Sequence, residues 1–344
     1  IYGYLCSMGH NYSELLQWKE ALKKAQSILI TAHTSPDGDA IGSSLGLSHA
    51  LTAMGKQCAV VLPNRGAAFL DWMPDIESIA YYEEDSNAVQ ALVDNSDLII
   101  CLDFNALHRL GELCETIENA PQPKVLIDHH IGEVSWPTIN LCQIGASSTC
   151  ELVFDVLNQT ERKAVWLSLE AGQCLYTGIM TDTGSFRFHG TSPLVHRVAA
   201  ELLEVGVKPN QVHEEVDDSF TDGRLKMFAH VLLNNTKYLC DGQVAYSYVS
   251  AKEYEDFSVT SSDTEGLVNQ PMRLQNVRIS VFFKIADDRI KISFRSKGEI
   301  DIQQIAVKHF DGGGHRNAAG GISFETWEKT EAKLKTIFQD FPLD

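Results

Sequence analysis

Short apolar runs recur along the first half of the chain: Ile28 to Ala32, Cys58 to Leu62, Leu98 to Leu102 and Val125 to Ile127. Each is short enough for a buried strand, and the segments between them carry helical spacing. A run of small residues from about Ala40 to Met54 predicts a helix directly after the first strand, and Leu167 to Met180 predicts another. Strands alternating with helices predict a doubly wound α/β domain with a mainly parallel sheet. From about Gln243 the pattern changes to β-branched and aromatic runs. VAYSYVSA is followed by VRISVFFKI and RIKISFRS, the last two parted by Ala-Asp-Asp as in a hairpin. A smaller α+β domain is expected there. The stretch from Ser192 to Asn235 reads as helical with polar breaks, so the expected division is 1–216, a helical linker 217–236, and 237–344.

The length of 344 residues suits two domains, and 44% hydrophobic with 22% charged residues is ordinary for a globular chain. A formal net charge of -18 repels polyanions, so stable duplex-DNA binding is not expected. Eight cysteines without a CxxC pair, with Cys58, Cys101 and Cys174 inside apolar runs, favour reduced thiols. The N-terminal residues lack a positive leader, and no apolar run reaches about 18 residues. A cytoplasmic protein without membrane partners is expected.

Several strand patterns end in side chains that bind metals. ITAH ends at His33, IICLD at Asp103, and VLIDHH at Asp128, His129 and His130. The carboxyl ends of parallel strands line one crevice, so these residues can converge. Asp37 and Asp39 follow in HTSPDGDAIGSS, where Gly42, Ser43 and Ser44 allow close helix packing, and Asp182 lies in TDTGSF just after a helix, where the Gly184 turn can aim it inward. Four carboxylates in one crevice repel by roughly 4 kcal/mol per pair at 4 Å and an effective dielectric near 20, so the cluster calls for cations or protons. Two divalent ions match the four aspartates, and oxygen plus imidazole donors favour Mn(II), with Mg(II) or Co(II) as alternatives. Any one of these aspartates taken singly reads more readily as a helix cap or turn residue than as a ligand, and any one histidine as a core residue. It is their joint order that points to metal.

The motifs HTSPDGD, LDF, IDHH and TDTGSF resemble the four signatures of the DHH phosphoesterases. FRSKGEIDIQQIA and FDGGGHRNAAGG are similar to the DHH-associated C-terminal domain of the branch containing oligoribonucleases (nanoRNases) and phosphoadenosine-phosphate phosphatases. The resemblance implies one ion held by His33, Asp37 and Asp103 and a second by Asp39, Asp103, His129 and Asp182. It implies that Asp128 steadies a ligand histidine, that His130 faces the substrate phosphate, and that Arg109 reaches the substrate. Asp103, Asp128, His130 and Arg109 are thus the candidate catalytic residues. In the second domain Arg295, with its planar fork, Ser296 beside it, and Gly313, Gly314 and His315 of the glycine run are candidate substrate contacts; Arg316 and Asn317 are secondary ones. The glycine run also reads as a turn ahead of the strand GISFE. His49, His108, His196, His230 and His309 fall on helical patterns without acidic company, whereas His189 stays open.

The expected activity is manganese-dependent, two-metal hydrolysis of short single-stranded RNA, adenosine 3′,5′-bisphosphate or related dinucleotides, in an interdomain cleft of what family resemblance makes a homodimer. Phosphoanhydride hydrolysis of the exopolyphosphatase or pyrophosphatase kind is the alternative within the enzyme class. A nucleotide sensor without chemistry is the alternative outside it, which the full carboxylate set argues against.

Overall fold

The computed structural model describes residues 11–132, 134–188, 190–339 and 341. After Ser219 the chain divides into two compact units, the second beginning at Phe220.

In the first unit β1 (Ser27–Ala32), β2 (Gln57–Leu62), β3 (Ala80–Tyr81), β4 (Leu98–Leu102), β5 (Lys124–Ile127) and β6 (Ile139–Asn140) form one sheet in the order β3-β2-β1-β4-β5-β6. Every pairing is parallel. The helices are α1 (Tyr12–Lys24), α2 (Gly38–Ala53), α3 (Ser86–Asp94), α4 (Cys114–Asn119), α5 (Thr149–Thr160), α6 (Lys163–Trp166), α7 (Leu169–Asp182), α8 (Pro193–Glu204) and α9 (Pro209–Val216). Strands covered on both faces need apolar side chains at successive positions. Accordingly Ile28 and Ile30 of β1 join Leu45, Leu152 and Leu175 in one core, and Leu29 between them joins Val89, Ile99 and Leu126 in another. The sheet order reverses between β1 and β4, and at such a switch point the loops on either side diverge and leave a crevice at the strand ends.

The second unit contains β7 (Thr236–Leu239), β8 (Val244–Val249), β9 (Ile279–Ile285), β10 (Ile290–Ser296), β11 (Gly313–His315) and β12 (Ala318–Ser323), in the order β11-β12-β10-β9-β8-β7. Only β8 and β9 pair in parallel. Its helices are α10 (Asp222–Asn234), α11 (Ala251–Asp256), α12 (Gln303–His309) and α13 (Trp327–Gln339). The expected linker helix is α10, and it serves as core instead. Met227, Phe228 and Val231 pack with Val249 and Phe282 of the second sheet, so burial of its apolar face attaches it to this unit. Asp182, expected just beyond its helix, is the last residue of α7, and the turn follows at Gly184, φ +55°. Among the described residues no cysteine is in a disulfide and no helix is long and apolar enough to cross a membrane.

Candidate metal centre

The crevice between β1 and β4 is occupied by the residues that end those strands. His33 follows β1 and Asp103 follows β4, and His33 Nε2 lies 3.3 Å from Asp103 Oδ2. The His33 ring is fixed from its other side, because Nδ1 donates to the Thr34 carbonyl at 2.8 Å. Asp37 caps α2, its Oδ1 accepting from the amides of Asp39 and Ala40 at 3.0 and 3.1 Å. The cap reading and the ligand reading hold together, since His33, Asp37 and Asp103 each offer a donor atom within 4.8 Å of the others.

A second set shares Asp103. Asp39, Asp103 and His129 also offer donors within 4.8 Å of one another. His129 Nε2 stands 3.3 Å from Asp182 Oδ2, 3.5 Å from Asp103 Oδ1 and 3.8 Å from Asp39 Oδ2. Its Nδ1 faces the Ala146 carbonyl at 3.3 Å; a carbonyl only accepts, so Nδ1 carries a proton and Nε2 is the nitrogen turned to the carboxylates. Asp103 itself has φ +64°, a left-handed conformation uncommon for a residue other than glycine. That backbone turn places its carboxylate between both sets.

The charges behave as a crowded anionic site should. Burial and the charges of Asp103 and Asp37 push the Asp39 carboxyl up to about 8, against the opposing pull of His129 and Cys150. Desolvation and the Asp39 charge push Asp182 well above the carboxylate range. Burial also opposes ionisation of Asp103, but hydrogen bonds with His129 and His33 outweigh it and hold that carboxyl well below its ordinary value. The two imidazoles are raised in turn, burial being overcome chiefly by the hydrogen bond with Asp103. Raised carboxyls mark negative charge that the neighbouring groups leave uncompensated, and hard oxygen donors with two imidazoles are a set that could hold divalent metal.

One expectation is corrected. Asp128 does not hold His33 or His129, whose second ring nitrogens go to backbone carbonyls; its Oδ1 is 2.7 Å from Nδ1 of His130. The buried Asp128 therefore orients the His130 ring. Arg109 is half-buried, with Nη1 3.4 Å from the Asp103 carbonyl, and its own carbonyl accepts from the Thr34 amide at 2.8 Å. It is thus tied to both strand-end loops.

The segment 146–151 carries no metal-ligand signal in the sequence, since a Ser-Ser-Thr run ahead of a helix reads as capping chemistry. Ser148 does cap α5, accepting from the Glu151 amide. The same turn also donates from the Thr149 and Cys150 amides to Asp39 at 2.6 and 2.9 Å, and from Thr149 Oγ1 to Asp103 Oδ1 at 2.9 Å. Buried Glu151 braces it, accepting from the Ser147 amide and hydroxyl at 2.7 and 2.8 Å.

In the second unit Arg295 and His315 both pair with Ala318, from opposite sides of β12. Partners in register project to the same face of a sheet, so the two basic side chains flank a small residue. Gly314 has φ +131°, and a Cβ there would lie 2.6 Å from the Ala318 carbonyl, so this glycine is required by the backbone. The turn reading of the glycine run is corrected: Gly313 and Gly314 lie in β11, and the chain reverses at Arg316 and Asn317. Ser296 is corrected: it is buried, its hydroxyl donates to the Ile300 carbonyl at 2.7 Å and accepts from Asn317 Nδ2 at 2.9 Å, so it braces its own loop. Asn317 serves that same loop, and Arg316 pairs with Glu299 at 2.7 Å. His49 and His230 have acidic neighbours after all, Asp75 at 3.8 Å and Glu253 at 3.9 Å. His189 lies outside the described residues.

A doubly wound sheet whose switch point gathers two carboxylate–imidazole sets around one aspartate, joined to a sheet carrying a GGGH strand, defines a phosphoesterase of the DHH class. The models of the DHH family N-terminal domain and of the DHHA1 domain match residues 27–179 and 241–341, and the chain belongs to the DHH family. It is 32% identical over 305 residues, 88% of this chain and 86% of the relative, to the bifunctional oligoribonuclease and PAP phosphatase NrnA of Thermus thermophilus. The Bacillus subtilis protein of the same description is 25% identical, over 91% of this chain and 95% of its own. Among solved structures, an exopolyphosphatase-related protein of Bacteroides fragilis superposes with a TM-score of 0.91 at 34% identity, covering 96% of this chain and 97% of that one.

Proposed function

We propose that this enzyme is a manganese-dependent two-metal phosphoesterase acting on short oligoribonucleotides, adenosine 3′,5′-bisphosphate or related dinucleotides. The observation that carries the reading is Asp103, shared between two compact donor sets on a strained backbone turn. His33, Asp37 and Asp103 hold one ion in this reading, and Asp39, Asp103, His129 and Asp182 the other. Two such ions supply a water acid enough to attack phosphorus near neutral pH and offset charge on the phosphoryl oxygens. The remaining roles fall to this chain's own side chains. Asp128 accepts from Nδ1 of His130 and fixes the ring that meets the substrate phosphate. Arg109 adds a guanidinium beside the strand-end loops, suited to a phosphoryl oxygen. Arg295, His315 and the amides at Gly313 and Gly314 receive the nucleotide's far phosphate, which selects short substrates ending in a phosphate or a nucleoside.

The relatives named as oligoribonuclease and PAP phosphatase support the nucleotide substrates. The description of the Bacteroides neighbour as exopolyphosphatase-related favours a second reading, phosphoanhydride hydrolysis by the same carboxylates. Product release from a 5′-phosphorylated diribonucleotide, adenosine 3′,5′-bisphosphate, a cyclic dinucleotide and polyphosphate, each with and without Mn(II), separates the two. Nucleotide turnover is expected to dominate, and Asp103→Ala is expected to abolish it. A preference for polyphosphate would replace the substrate assignment, and full turnover by Asp103→Ala would remove the shared-ligand model.

A further inference from the structure

Thr149 is fully buried at the first position of α5, where a hydroxyl has no capping duty left to perform. The cap is already made by Ser148, whose side chain accepts from the Glu151 amide at 3.0 Å. Thr149 instead donates its hydroxyl proton to Asp103 Oδ1 at 2.9 Å and its backbone amide to Asp39 Oδ2 at 2.6 Å. These bonds span 46 and 110 positions in sequence, so they are tertiary contacts and not local turn chemistry. The donor is rigidly mounted, because Glu151 ties the turn from below through Ser147. The left-handed backbone at Asp103 directs its carboxylate into the crevice, where His33 and His129 also face it; were those imidazoles turned to metal ions, the Thr149 hydroxyl would be the contact that sets rotation about the Asp103 side-chain bonds.

We infer that Thr149 is a positioning residue for the metal pair, its hydroxyl fixing the carboxylate of Asp103 so that the two oxygens serve different ions. The inference rests on the two-metal reading above. A hydrogen-bond partner that orients a metal ligand is worth about 10- to 100-fold in metal affinity or activity when removed. Thr149→Val keeps the volume and the backbone amide but removes the hydroxyl, and Thr149→Ser restores it. The test is Mn(II) titration of the full chain by calorimetry, the Mn(II) electron paramagnetic resonance spectrum at two equivalents, and kcat and KM on the diribonucleotide.

For Thr149→Val we expect about 10-fold or greater weakening of Mn(II) binding, loss of the exchange-coupled spectrum of a bridged pair, and a fall in kcat with KM within about 3-fold. Thr149→Ser should return all three to near the parent values. If Thr149→Val does not fold, Thr149→Ala at this helix position makes the same deletion with less steric demand. Parent-like Mn(II) affinity and spectrum in the folded deletion variant would overturn the inference, as would a loss that serine fails to rescue. A parent protein that binds no Mn(II) pair would instead remove the two-metal reading on which it rests.

Discussion

A glycine inside a helix ordinarily costs about 1 kcal/mol relative to alanine, so replacing one should stabilise. Gly178 in α7 reverses that expectation. A Cβ there would lie 2.2 Å from Cys150 Sγ and 2.9 Å from Asp39 Oδ1, so an added methyl must displace α5 or the carboxylate that α5 holds. Gly178→Ala is therefore expected to lower stability by about 1–3 kcal/mol despite its better helix propensity, and to weaken Mn(II) binding with it. Thermal unfolding and metal titration of the variant check both; a gain in melting temperature with unchanged affinity would show that the crevice yields freely. Residue types at strand ends were legible in the sequence, because His33, Asp103 and the Asp128–His130 run each close an apolar stretch. The partners of those residues were not. Which imidazole Asp128 orients, and which hydroxyl reaches Asp103, depend on backbone turns and on contacts more than 40 positions away, and neither leaves a periodic trace.

At the scale of elements, β4 has the span its apolar run predicts and the hairpin of β9 and β10 follows from two runs parted by Asp-Asp. α10 shows where such reading stops: a polar-flanked helix looks like a connector until its apolar stripe is matched to a particular sheet. α13 depends on a similar hidden match. Glu331 on α13 accepts from Lys237 Nζ of β7 at 2.7 Å and from Tyr246 Oη of β8 at 2.9 Å, with Lys335 at 3.0 Å on its other oxygen. Burial alone would raise its carboxyl, but these donors outweigh it and hold the group down to about 2. A carboxylate depressed on folding contributes stability that is complete above its unfolded value near 4.5 and is lost as pH falls towards 2. Both lysines are part-exposed, so screening leaves about 1 kcal/mol. Glu331→Gln should lower the urea midpoint of the second unit at pH 7, with the gap between variant and parent closing below about pH 3. A gap that persists unchanged into acid would assign the effect to packing.

At the scale of the whole molecule, the metal-ligand set proposed here falls within the first unit, and each unit has its own core. Proton and cation binding should therefore act on one unfolding transition. Asp39, with its carboxyl at about 8, keeps a proton when folded that it sheds above about 3.8 when unfolded, and Asp182, His33 and His129 are raised as well. Groups raised on folding give stability that is present at low pH and lost as pH climbs through their folded values. Asp103 is shifted the other way, but its contribution is already complete above about pH 5 and does not tilt the neutral range. Metal-free protein is thus expected to lose stability in its first unit between pH 5 and 8. Mn(II) must displace those protons, so its affinity should rise over the same interval. At a free concentration about 100 times its dissociation constant it adds about 2.7 kcal/mol. Calorimetric scans at pH 5.5 and 8, with Mn(II) and with a chelator, should show the first unit less stable at pH 8 only when metal-free, with the larger Mn(II) shift at pH 8 and the second unit's transition unmoved. Equal Mn(II) shifts at both values would mean that protons and cations do not compete for these carboxylates, and the crevice between β1 and β4 would then not be where the ions bind.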